Sequence, residues 1–215
     1  MTRSCVAPRW RGRYREDVAK RVFDVTVTLL SAPFATVIAG VMAVVLAIEL
    51  RGNPVFVQER VGLHGKHFKM YKLRTMRYAA PGEAPPQRTV VDWSTYVFTP
   101  PGYRDPRLTR WGEFARKTSI DELPNLVNVL KGEMSIVGPR PELPEIVDQY
   151  PDRYRRRHDV LPGITGLAQV SGRSDLTYDE IATYDLEYVD NHSLMNDIHI
   201  LWRTVRLVAA GEGAR

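Results

Sequence analysis

The chain has 215 residues, with 30 Lys and Arg against 25 Asp and Glu, a formal net charge of +5 and a single cysteine, Cys5. That length holds one domain plus an anchor, and one cysteine excludes an internal disulfide framework and any argument for an oxidising compartment. The basic excess gathers at the start, where Arg3, Arg9, Arg11, Arg13, Arg15, Lys20 and Arg21 meet only Glu16 and Asp17; no basic helix or aromatic-interleaved strand accompanies it, so no nucleic-acid partner is expected.

Residues 1–21 read as a basic juxtamembrane tail, suited to solvent and to anionic membrane lipid, which attracts such residues at roughly 1 kcal/mol each. Val25–Ile48 follows, 24 residues without a charge, enough to cross a hydrocarbon core of ~30 Å as a helix. It is too long for a signal-peptide core and lacks a small-residue cleavage site, so it reads as retained. Pro33 removes a backbone donor inside this run and clashes with the preceding turn; Ser31 could take up the freed carbonyl. Two geometries fit: a mildly kinked spanning helix, or a sharp break that lets the segment enter and leave on one face. Basic residues flank both sides, so the positive-inside rule favours a cytoplasmic N-terminus only weakly.

Arg51-Gly52-Asn53-Pro54 is a turn signal. Val55–Val61 and His67–Leu73 alternate around Leu63-His64-Gly65-Lys66 and predict a β-hairpin. Residues 79–106 are rich in Pro and Gly and read as a long surface loop, a feature that is usually functional or disordered. Helices are predicted at Leu108–Lys117, Leu123–Leu130, Glu142–Tyr154, Thr177–Val189 and Asn196–Leu207, and a strand at Gln169–Arg173. The last helix has an apolar face that suits the membrane surface or a second protomer, which leaves a homodimer open. The expected fold class is α/β, mostly α-helical: residues 1–21 as tail, 22–50 as membrane helix and 51–215 as one domain.

Thr118-Ser119-Ile120-Asp121-Glu122-Leu123-Pro124 opens a predicted helix. Ser119 with Glu122 forms a capping-box pattern that satisfies the physics without catalysis. The same segment suits phosphate chemistry: helix-start N–H groups attract anionic oxygens, Asp121 and Glu122 could hold Mg²⁺ together with substrate phosphates, and a carboxylate can attack phosphorus. Arg116, five residues earlier, could neutralise transferred charge. In Ser135-Ile136-Val137-Gly138-Pro139-Arg140-Pro141, Pro139 and Pro141 fix the backbone around Arg140; this is a rigid turn with a surface arginine, or a guanidinium preset for phosphate. Leu161-Pro162-Gly163-Ile164-Thr165-Gly166 is another rigid turn.

Taken together, KRVFDVTVTLL, the Pro-containing anchor, NPVFVQERVGLHGKHFKMYKLRTM, RKTSIDELPNLVNVLKGEMSIVGPRPE, LPGITGLAQVSGR and NDIHILW resemble, in order and from Lys20 to about Val208, the monotopic phosphoglycosyl transferases or bacterial sugar transferases. The resemblance implies transfer of a phosphosugar from a UDP-sugar to polyprenol (undecaprenyl) phosphate at the cytoplasmic face of a bacterial inner membrane, giving polyprenol-diphosphate-sugar and UMP. It implies a ping-pong reaction with Asp121 carrying the phosphosugar and Glu122 completing the dyad, and Mg²⁺ as cofactor. Lys72, Arg116, Arg140, Arg173 and Asp197 fall where the family uses nucleotide, phosphate or metal ligands, with Asp121, Glu122 and Asp197 as the expected metal set. It also implies a re-entrant anchor, 22–50, broken at Pro33 near Ser31, although Ala32 stands directly before Pro33 where relatives commonly have Ser. The competing reading is a non-catalytic membrane scaffold that binds a nucleotide-sugar or recruits glycosyltransferases.

Overall fold

A computed structural model describes residues 13–79, 92–97, 103–172 and 175–210, with side chains from Val18 onward. The first twelve residues of the basic tail, Arg173, and most of the 79–106 loop lie outside the described residues.

Helix α1 (Arg13–Leu50, 38 residues) carries Pro33 within it. Pro33 deprives the Leu29 carbonyl of its helical donor, and Ser31 Oγ instead bonds the carbonyls of Val27 at 2.8 Å and Thr28 at 3.1 Å. By length and composition, Val18–Leu50 can cross a membrane. Both arms of α1 nevertheless touch the domain. Val27 packs on the main core, while Met42 and Leu46 pack on Leu73 and Ala115. Between these arms, Leu30, Phe34, Val37 and Val41 are exposed.

The predicted hairpin forms at its predicted bounds: β1 (Val55–Val61) pairs antiparallel with β2 (His67–Leu73), Val55 opposite Leu73. Helix α2 (Arg110–Lys117) starts at Thr109, whose side chain accepts from the Gly112 N–H. The expected helix at Leu123–Leu130 is split into a 3₁₀ turn, Ile120–Asn125, and α3 (Leu126–Lys131). Strand β3 (Ser135–Val137) follows, fully buried. The expected Glu142–Tyr154 helix is two single turns, α4 (Pro144–Val147) and α5 (Asp152–Arg155), because Pro151 disfavours helical geometry at Tyr150.

Strand β4 (Gly163–Thr165) pairs parallel with β3, Ser135 opposite Gly163. Three glycines make this crossing possible. A Cβ on Gly138 would lie 2.3 Å from the Leu161 carbonyl oxygen, one on Gly163 2.1 Å from the Gly138 nitrogen, and one on Gly166 2.3 Å from the Gly138 oxygen. The strand expected at Gln169–Arg173 is instead helix α6 (Leu167–Ser171), bounded by Gly166 and Gly172. Helix α7 (Tyr178–Asn191) has a true capping box, Thr177 with Glu180, and α8 (Leu194–Ala209) is capped by Ser193.

The main core joins Phe68 and Met70 of β2 to Val129, Ile136, Tyr188 and Ile200. A second, aromatic cluster gathers Tyr150, Tyr154 and Tyr178 with Ile146, covered by Trp93 and Tyr96. The described residues are mostly helical, with two small two-stranded sheets among them. On α8 the outward face is apolar and exposed at Met195, Ile198, Trp202 and Val205.

Lys20 and Arg21, at the end of the basic tail, have partners in the protein: Lys20 Nζ pairs with Asp197 at 2.6 Å, and Arg21 bonds the carbonyls of Val129 and Leu130 at the end of α3, where a cation complements the helix dipole.

Candidate active site

The segment holding Asp121 and Glu122 is not the capped helix its sequence suggests. Ser119 adopts φ 56°, a left-handed conformation, and makes no side-chain cap. Such a backbone costs a non-glycine residue about 1–2 kcal/mol. It turns the chain sharply at the end of α2, and the 3₁₀ turn then presents both carboxylates toward β2. Glu122 has better partners than a cap. Its Oε1 takes Lys72 Nζ at 2.9 Å and Arg140 Nη2 at 2.7 Å. Charge-assisted bonds of this kind are roughly twice as strong as neutral ones.

The structure therefore brings Asp121, Glu122, Lys72, Arg116 and Arg140 together. Asp121 is 8% exposed, and among the described residues no donor is bonded to its carboxylate. Burial, then the neighbouring Glu122 charge, raises its pKa to about 6, against the pull of Lys72, Arg116 and Arg140. Glu122 goes the other way. Its burial would raise its pKa, but Arg140 and Lys72 outweigh that and hold it well below the usual carboxylate range. Burial and the Arg140 charge also lower Lys72. Adjacent carboxylates driven apart in this way suit chemically distinct roles: Glu122 is held ionised by its cations, and Asp121 is left open.

Two of the three cations are held from behind. Arg116 Nε donates to Thr75 Oγ1 at 2.9 Å. The Pro139-Arg140-Pro141 turn is gripped through its carbonyls: buried Arg157 donates to the Arg140 oxygen at 3.2 Å, and Arg60 to the Pro141 oxygen at 3.1 Å. Arg157 is itself paired with Asp185 at 2.6 Å and bonded to Tyr150 and Tyr178; burial pushes Asp185 up to about 6 despite that partner. The turn held in this way carries Arg140, whose Nη2 bonds Glu122.

Asp197 does not join this cluster. It is fully buried, with Lys20 on one carboxylate oxygen and the Tyr188 hydroxyl at 2.7 Å on the other. Among the described residues no three His, Cys, Asp or Glu side chains gather as a metal site, so the structure does not assemble the expected set of Asp121, Glu122 and Asp197. A pair of carboxylates, one with unbonded oxygens, still fits Mg²⁺, which takes one or two carboxylates and completes its shell with substrate phosphates and water.

Sequence reasoning missed Thr75, Arg60, Arg157 and Lys20. A signal existed for Arg157: with Tyr150 and Tyr154 it falls at i, i+4 and i+7, and these residues are buried together. The surrounding run of arginines hid it. For Lys20 the basic tail suggested lipid and masked the buried acid it meets.

Residues 15–211 match the model of the bacterial sugar transferase family. The chain is 40% identical over 199 residues to a sugar transferase, EpsL, of Bacillus subtilis (strain 168), covering 91% of this chain and 90% of that protein. It is 40% identical to the UDP-glucose:undecaprenyl-phosphate glucose-1-phosphate transferase of Caulobacter vibrioides, over 90% of this chain and 70% of that protein. To the galactosyl transferase CpsE of Streptococcus agalactiae it is 39% identical over 94% of this chain but only 45% of that protein, so it spans under half of some curated relatives. By these matches, which run through the anchor, the carboxylate pair and the Pro-Arg-Pro turn alike, the chain belongs to the bacterial sugar transferase family.

Proposed function

We propose that the protein transfers a phosphosugar from a UDP-sugar to a polyprenol phosphate such as undecaprenyl phosphate. The observation that carries the reading is Asp121, a buried carboxylate free of donors, ionised near neutral pH and surrounded by three cations. In the first half-reaction an Asp121 oxygen attacks the phosphorus that bears the sugar, the bond to the bridging oxygen breaks, and UMP leaves. In the second, a phosphate oxygen of the lipid attacks the same phosphorus and Asp121 is released as carboxylate. Attack of an anion on a diphosphate needs screening; Arg116, Arg140 and Lys72 supply it, and Glu122 holds Lys72 and Arg140 in place. Mg²⁺, held by Asp121 and Glu122 when bound, supplies further neutralisation of the diphosphate.

We infer that the anchor is re-entrant and that the domain lies on the cytoplasmic face. The support is that both arms of α1 pack on one domain, the first through Lys20 and Val27 and the second through Met42 and Leu46. Residues 29–41 between them cover only about 20 Å as a helix, short of a hydrocarbon core of ~30 Å. Cysteine labelling at positions 18 and 51, in a Cys5→Ser background, should reach both from the same face; labelling from opposite faces would reject this topology.

UMP release from a panel of UDP-sugars, with Mg²⁺ and with or without undecaprenyl phosphate, tests the chemistry. The expected result is one preferred donor, turnover that requires the lipid, a stoichiometric burst without it, and loss of both in Asp121→Asn. Nucleotide-sugar binding with no UMP release would favour a scaffold instead.

A further inference from the structure

Among the described residues, Arg74 is a buried cation on the hairpin that carries Lys72, and the chemistry above does not use it. The residue is 7% exposed, and its Nε is buried without a hydrogen-bond partner. Among the described residues no carboxylate, carbonyl or hydroxyl accepts from its guanidinium. Its one compensating contact is the face of Tyr78, with the ring centroid 4.4 Å away, and Tyr78 is itself 78% exposed. A guanidinium offers five donors; in Arg74 the Nε is buried with no acceptor, and leaving a buried donor unmade is costly. A ligand that brings acceptor oxygens removes that cost.

The position of Arg74 indicates which ligand. Its neighbours in the chain both serve the active site: Lys72 bonds Glu122, and Thr75 holds Arg116. The Arg74 N–H donates to the Pro54 carbonyl, which continues the hairpin ladder, so Arg74 lies two residues beyond Lys72 on the same face. Its head also abuts the turn after α1: a Cβ on Gly52 would lie 3.2 Å from Arg74 Nη2. Arg74 thus joins the turn after the apolar helix to the strand face that carries Lys72, the partner of Glu122. With the anchor re-entrant as proposed above, a substrate held in a bilayer by its tail meets the domain on the side of that turn.

We propose that Arg74 binds the phosphate of the lipid acceptor, an inference that rests on the transferase reading above. The planar fork suits the oxygens of a phosphate monoester. Donor chemistry does not need this contact, so the two half-reactions separate its role from a structural one.

The test uses full-length protein in nanodiscs and compares wild type, Arg74→Gln and Arg74→Lys. Losing one charge-assisted phosphate contact should raise KM for polyprenol phosphate about tenfold or more. KM for the UDP-sugar and the lipid-free UMP burst should stay unchanged, and Arg74→Lys should recover part of the loss. An acceptor KM within about twofold of wild type would overturn the proposal, as would a burst that falls in parallel with turnover. Flotation on phosphatidylglycerol vesicles distinguishes the other source of phosphate: weaker flotation of Arg74→Gln with unchanged acceptor KM assigns Arg74 to bulk lipid and overturns the acceptor assignment. If Arg74→Gln fails to fold, the comparison rests on Arg74→Lys, where an unchanged acceptor KM likewise overturns it. Wild-type protein that releases no UMP sinks the transferase reading itself, whereas turnover with an unaltered acceptor KM in the variants sinks this inference alone.

Discussion

Asp121→Asn should abolish turnover and at the same time stabilise the protein. Burial and Glu122 raise the folded-state pKa of Asp121 from the ordinary 3.8 to about 6. The folded state therefore holds the proton more tightly than the unfolded chain, and stability is lost as pH rises through that window. Above about pH 6 the ionised carboxylate costs the fold about 3 kcal/mol; below 3.8, where both states are protonated, the cost is absent. An amide of the same shape carries no such cost. In a domain of this size 3 kcal/mol corresponds to about 6–12 °C in Tm. The assay is thermal unfolding in detergent, with EDTA to keep metal off the carboxylates, for both proteins from pH 4 to 8. The expected gain for Asp121→Asn is full at pH 7.5 and vanishes toward pH 4. A variant no more stable than wild type at pH 7.5, or a gain that does not change with pH, would refute the reasoning.

Three further outcomes follow from the same geometry. Lys72→Met removes a cation that lowers the Asp121 pKa, so the acid limb of the residual kcat/KM profile should move above pH 6; an unmoved or lower limb would contradict the arrangement. Asp197→Asn leaves Lys20 without its buried partner and should cost about 3–5 kcal/mol in denaturant unfolding, while the Mg²⁺ concentration for half-maximal rate stays the same; a raised Mg²⁺ requirement would return Asp197 to the metal site. Gly138→Ala sets a methyl group 2.3 Å from the Leu161 oxygen, so little folded protein should be recovered, and a normal yield with normal Tm would show that the β3–β4 crossing relaxes.

How legible each feature was depended on how local its cause is. The hairpin was read to the residue because its alternation and turn lie within one segment. The helices at Thr177 and Asn196 were read because caps and apolar spacing are local too. The failures have distant causes. Glu122 leaves its expected cap because Lys72, 50 residues earlier, and Arg140, 18 later, hold its carboxylate. Strands β3 and β4 have three residues each and are buried or nearly so, so neither shows alternation. Gln169–Arg173 reads as a strand, but Gly166 and Gly172 bound a single helical turn there, Leu167–Ser171. At the candidate site, the carboxylate pair and the Pro-Arg-Pro turn stand out as motifs, whereas the groups that hold them do not. Thr75 and Arg60 carry no pattern, and the role of Arg157 exists only once the chain has brought Arg140 over it.

The pairing of Lys20 with Asp197, and of Ser135 and the Ile136 N–H with Asp24, makes the apolar helix a structural member of the domain rather than a detachable tether. A fragment beginning at Arg51 would leave Asp197 as a buried anion without its cation and strip Met42 and Leu46 from Leu73 and Ala115. It would be a damaged fold with a wet seam, not a water-soluble enzyme. The converse applies to solubilisation: a detergent that competes for the seam between α1 and the domain would loosen the strand leading to Arg140 before it extracts the protein, so activity would report the quality of the micelle as sensitively as any spectroscopic probe.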